Sequence, residues 1–210
     1  MNKDLTDITL VVDRSGSMQS CLTEAQGGIN AFISEQKEVP GEALLTILEF
    51  DTAYDFVCSG TPIKDTPEYK LVPRGMTALL DAVGRAINET GERLGRMDDE
   101  SRPGLVVIAI ITDGHENASH EFTKQQVKVM VDRQTNDYQW KFVFLGADAG
   151  AFDEAASIGI HAGSTVMYAP DKSDKVYAAT SANVSMARCD MAAGRTVCMD
   201  WSDEQRAEVK

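Results

Sequence analysis

The 210-residue chain lacks most of the features that announce a function directly. No run of about 18 apolar residues occurs, which excludes a transmembrane helix. The start, Met1-Asn2-Lys3-Asp4, is polar and has no apolar signal-peptide core, so the expected compartment is the cytoplasm. Cys21, Cys58, Cys189 and Cys198 are scattered, with no C-x-x-C pair. That spacing argues against a zinc site, and in a reducing compartment it reads as core residues or incidental thiols. Basic residues are scarce: 20 Lys and Arg against 33 Asp and Glu leave a net charge of −13. A field of that sign repels nucleic acid and anionic membranes and attracts cations. There is no P-loop and no G-x-G-x-x-G, and Gly27-Gly28 lies inside a helical pattern. G-x-S-x-G is missing as well, which removes the usual serine-hydrolase elbow. Neither an internal repeat nor a low-complexity segment is present.

What is present alternates regularly. Ile8 to Val12 is a β-branched apolar run that breaks into Asp13-Arg14-Ser15-Gly16-Ser17. The run reads as a buried strand after a polar lead-in over residues 1–7. Leu22, Ala25, Ile29, Phe32 and Ile33 predict a helix from about Ser20 to Lys37, ended by Val39-Pro40-Gly41. Ala43–Phe50 and Tyr54–Ser59 read as strands, and the three residues between them make an antiparallel hairpin with the second strand at an edge. A loop from Thr61 to Pro73 leads to a helix starting at Thr77, with Leu79, Leu80, Val83, Ala86, Ile87 and Leu94 as its stripe. Leu105–Ile111 is the most apolar run and must be a central strand, ending in Thr112-Asp113-Gly114. A helix over Phe122–Thr135, a strand over Trp140–Leu145, a short helix over Ala149–Ile158 and a strand over Thr165–Ala169 follow. Lys172–Ala193 reads as a loosely periodic last helix. The pattern is a doubly wound, Rossmann-like α/β domain over residues 1–195, with a tail from 196 to 210 that either straps onto the domain or is disordered after Asp203.

Asp13 sits where an open α/β sheet builds its sites, and Ser15 and Ser17 can turn two hydroxyls to one place. Asp113 repeats the layout of strand, carboxylate and glycine. Thr77 is either an N-cap or a hydroxyl offered to a cation. All-oxygen donors suit a hard cation such as magnesium. Asp13-x-Ser15-x-Ser17, Gly75-Met76-Thr77-Ala78-Leu79 and Thr112-Asp113-Gly114, in that order, resemble the von Willebrand factor type A domain and its metal-ion-dependent adhesion site.

The resemblance implies a sheet in the order 3-2-1-4-5-6 with strand three antiparallel. It implies that Ser15, Ser17 and Thr77 reach a divalent cation with their hydroxyls, magnesium first and manganese or calcium as alternatives. Asp13 and Asp113 would then act through water, through hydrogen bonds to those hydroxyls, or directly in some states. It also implies a protein partner that presents a Glu or Asp, and recognition in place of catalysis. Standalone members suggest an intracellular bacterial or phage setting beside an ATPase or in a stress-response operon such as tellurite resistance.

Two other classes compete. A haloacid-dehalogenase-type phosphatase needs a carboxylate two residues after Asp13, where this chain has Ser15, and His115 and His120 are the available bases. A scaffold of the same fold without a metal is the other. Glu116 and Asn117 read as rim-shaping or solvated loop residues, Arg14 as a steering or surface charge, and Asp148 as a rim carboxylate or helix cap.

Overall fold

The computed structural model describes residues 1–147 and 149–210, Pro170 by its backbone alone; Asp148 lies outside the described residues. Six strands form one sheet: β1 (Asn2–Asp13), β2 (Glu42–Phe50), β3 (Tyr54–Pro62), β4 (Pro103–Thr112), β5 (Lys141–Gly146) and β6 (Thr165–Met167). Their order is β3-β2-β1-β4-β5-β6, and only the β2–β3 pair is antiparallel. This is the expected doubly wound α/β architecture, with the hairpin edge read from the three-residue turn.

The period-two alternation of β1 and β4 divides the core. Ile8, Leu10, Val12, Leu105, Val107, Ala109 and Ile111 face one layer, with α1 (Leu22–Glu38) and α5 (Ser173–Ala192) packed over them. Val11, Val106, Ile108 and Ile110 face the other, under α2 (Leu79–Gly95), α3 (Lys124–Tyr138) and α4 (Ala151–Ser157). Each fully buried Val, Leu or Ile contributes about 1.5–3 kcal/mol, so strands apolar on both sides settle in the centre. Gly28 lets α1 and α5 meet closely: a Cβ there would stand 2.2 Å from the Tyr177 ring. No described helix is long and apolar enough to cross a membrane.

Two local readings change, and the tail follows one of its two. Residues 2–7 are not a lead-in but the first half of β1, paired with β4 at Asn2 and with β2 from Leu5. Their polarity misleads because Asp7, with 0 % exposure, is matched by a distant arginine. The first helix is preceded by a 3-10 turn over Gly16–Cys21, which carries the end of the serine loop. The tail is folded along its described length. Val197, Met199, Trp201 and Val209 are buried in the α1/α5 layer, and α6 (Asp203–Glu208) opens on a Ser202–Gln205 capping box. Arg206 donates to the carbonyls of Thr165, Ala162 and Gly163, fastening the strap beside β6. The alternation of 197, 199 and 201 was the legible signal of that strap.

Candidate metal centre

The parallel register sets Val12 opposite Ile111, so Asp13 ends β1 beside Thr112 at the end of β4. The crossovers leave these two strands toward opposite faces, and the crevice between them is where this architecture places ligand groups. Asp13 has no exposure. Its Oδ1 accepts the Ser15 backbone N–H at 2.7 Å, and its Oδ2 accepts the Thr112 hydroxyl at 2.6 Å. Burial lifts the Asp13 carboxyl to about 6, against these hydrogen bonds, and the Asp113 charge adds to the rise. Among the described residues no basic side chain pairs with it.

The other four expected residues gather around it. Ser15 Oγ and Ser17 Oγ are 3.0 Å apart, and Ser17 donates to Asp113 Oδ1 at 2.7 Å. A single point gathers the rest: a Cβ built on Gly114 would lie 3.4 Å from Thr77 Oγ1, 3.7 Å from Ser17 Oγ and 3.9 Å from Asp13 Oδ2. Two loops far apart in sequence thus bring oxygen atoms together at Gly114 of a third, in a cradle left open because residue 114 has no side chain. The donor set is all oxygen and mixes neutral hydroxyls with carboxylates, which fits a hard divalent cation. Among the described residues no group of three or more His, Cys, Asp or Glu side chains is placed to hold a metal, so any cation here depends on the hydroxyls.

Thr77 does not cap α2. The N-cap is Ala78, whose own side chain makes no capping bond. The loop after β4 supplies what the cap would. Glu116 accepts the Leu80 N–H at 2.9 Å, and the Ser119 hydroxyl accepts the Asp81 N–H at 3.1 Å. With two orphan donors of the first turn satisfied from outside, the Thr77 hydroxyl is released for the cradle. Asn117 holds the Thr77 backbone on both sides: its Oδ1 accepts the Thr77 N–H at 2.9 Å, and its own N–H donates to the Thr77 carbonyl at 3.0 Å. Glu116 and Asn117 are therefore rim-building residues, not solvated bystanders. Asp81 secures the same loop by accepting from the N–H groups of His120, Glu121 and Phe122. Gly75, with φ +71°, shapes the turn before Thr77; a Cβ there would stand 2.9 Å from Thr52 Oγ1.

Sequence reasoning gave Thr112 no role of its own, because the buried carboxylate that accepts its hydroxyl, Asp13, is 99 residues away. Arg14 is neither a surface charge nor directed at an incoming acid. It is 6 % exposed, and its guanidinium reaches Glu49, Asp51 and Asp55.

No family model matches the chain, and no curated protein does. Solved structures do match. The von Willebrand factor domain of a type V pilus tip protein from Porphyromonas gingivalis superposes with a TM-score of 0.61 at 10 % identity, over 86 % of this chain and 95 % of that one. Proximal thread matrix protein 1 of the mussel byssus, solved with zinc in its metal-ion-dependent adhesion site, gives 0.61 at 13 % identity over 88 % of this chain. The match covers 48 % of the mussel chain, so this chain spans about half its length. The manganese-loaded TRAP protein of Plasmodium vivax gives 0.55 at 14 % identity, over 83 % of this chain and 72 % of that one. The chain has the fold of the von Willebrand factor type A domain.

Proposed function

We propose that Asp13, Ser15, Ser17, Thr77 and Asp113 hold a divalent cation, magnesium in the first instance, and that the loaded rim binds a Glu or Asp of a protein partner. The observation that carries this reading is a fully buried Asp13, without a cationic partner among the described residues, beside the Ser17 and Thr77 hydroxyls, which approach one point at Gly114 from two loops. Two neighbours of the same fold carry zinc or manganese, which supports a divalent cation in general. A bound cation supplies a Lewis-acidic position for an anionic oxygen. The protein's own residues set its strength. Ser15, Ser17 and Thr77 are neutral donors and withdraw little of the positive charge. Asp13 is held by Thr112 and Ser15, and Asp113 by Ser17, so each carboxylate is already engaged with a hydroxyl or an amide.

Binding, not catalysis, is the reading, because the position two residues after Asp13 is Ser15 and not the carboxylate that a phosphatase of this layout requires. The test is a titration with magnesium or manganese followed by thermal melting, then a pull-down with and without chelator. The wild type should melt higher with either metal, and Thr77→Ala should lose most of that rise while folding normally. Equal partner recovery with and without chelator would overturn the proposal.

A further inference from the structure

We propose that Arg14 is a positioning residue that locks the Ser15–Ser17 loop to the Thr77 loop, with Asp51 as the shared anchor. The inference rests on the metal reading above and concerns how its hydroxyls are kept in place. Arg14 lies between Asp13 and Ser15, yet its guanidinium turns away from the cradle. Nε donates to Asp51 Oδ2 at 2.9 Å, Nη1 to Glu49 Oε2 at 2.9 Å, and Nη2 to Asp55. Glu49 is fixed in turn by the Tyr69 hydroxyl at 2.7 Å.

The same Asp51 Oδ2 accepts Arg74 Nε at 2.8 Å, three residues before Thr77. The Asp51 carbonyl accepts the Ala78 N–H at 2.7 Å, one residue after it. The main chain closes the lock: Arg74 N–H donates to the Arg14 carbonyl at 2.7 Å, and Gly16 N–H to the Gly75 carbonyl at 3.2 Å. Asp51 therefore touches the residue before Ser15 and residues on both sides of Thr77.

A buried ion-pair network is weak evidence for stability, since its desolvation penalty offsets its attraction. What it does supply is geometry. Hydroxyls are poor ligands, and a site made of them depends on neighbours that hold each rotamer and loop within a fraction of an ångström. Arg188 shows the alternative use. It is equally buried, at 4 % exposure, and donates to Gln36 and to the Val39 carbonyl, tying α5 to the end of α1 far from the rim.

The experiment measures manganese binding to the full chain by the paramagnetic resonance of free Mn2+, beside thermal melting in chelator. The variants are Arg14→Lys and Arg74→Gln, with Arg188→Lys as the control. Arg14→Lys keeps the charge but loses the three-way fork, and should weaken manganese binding roughly tenfold or more, as loss of a supporting contact around a metal does. Arg74→Gln should weaken it by about threefold, about 0.7 kcal/mol at 1.4 kcal/mol per tenfold. Arg188→Lys should lower the melting temperature and leave manganese affinity unchanged. If Arg14→Lys does not fold, Arg74→Gln decides, because the Arg74 side chain is mostly exposed. Manganese affinities of folded Arg14→Lys and Arg74→Gln within twofold of wild type would overturn this inference and leave the metal reading standing. No manganese binding by the wild type would overturn both.

Discussion

β1 carries two carboxylates with no solvent exposure, Asp7 and Asp13, and they are compensated in opposite ways. Asp7, midway along the strand, receives a two-pronged arginine: Arg93 Nη1 at 2.6 Å and Nη2 at 3.0 Å. Asp13, at the strand's end, receives hydroxyls and a backbone amide but no guanidinium, while the arginine beside it turns elsewhere. A charge buried in low dielectric needs a counter-charge or it raises the energy of the folded state. At Asp7 the protein supplies that counter-charge from its own helix. At Asp13 no described basic side chain supplies one, and in the proposed function a cation from solution does. On that proposal the lower half of β1 is a closed structural element and the upper end a receptive one.

Substitutions test this contrast, the largest effect first. Arg93→Met should cost about 3–5 kcal/mol in urea unfolding, because it strands Asp7; a loss under about 1 kcal/mol would erase the distinction. At the other end, Asp13→Asn should leave the metal-free protein as stable as wild type or more so, since it removes a charge with no cationic partner. It should also abolish metal-induced stabilisation, which for wild type is about 2.7 kcal/mol at a hundredfold excess over Kd. Melting with magnesium and with chelator reads both effects, and a metal response retained by Asp13→Asn would break the comparison.

Gly114→Ala sharpens it further. The added methyl would make only ordinary contacts with Thr77 and Ser17, so the fold should persist, but it occupies the cradle. Manganese affinity should fall by about tenfold, or about 1.4 kcal/mol, without loss of melting temperature in chelator. The smallest effect is expected from Asn117→Ala. It removes one acceptor from the Thr77 amide and should lower stability by about 1 kcal/mol, with a slight weakening of manganese binding. Denaturant unfolding and the same titration measure it.

Much of this was legible in the chain. Leu105–Ile111 had to be central because it offers no polar face, and Asp51-Thr52-Ala53 was too short for anything but a hairpin. Asp13, Ser15, Ser17 and Asp113 stand out because they follow the ends of apolar runs, whereas Thr77 joined them as a ligand through the resemblance of the three loops to the metal-ion-dependent adhesion site. Arg14 could not be oriented in that way, because it could turn into the rim or under it. Its partner Asp51 is 37 residues away. Thr77 could still be read as the cap of α2 until Glu116 and Ser119 were seen to satisfy the first turn in its place. Residues 2–7 looked like a lead-in because Asp7's partner is 86 residues further on.

The sequence by itself determined most of the strands and helices, the two-sided core and the three oxygen-bearing turns, because apolar periodicity and turn chemistry act over a few residues. Only the tertiary structure decided which buried charges are paired and which hydroxyl is free, because those matches join groups distant along the chain. One carboxylate on β1 meets a guanidinium and the other does not, and that difference arises only when the helices close over the sheet.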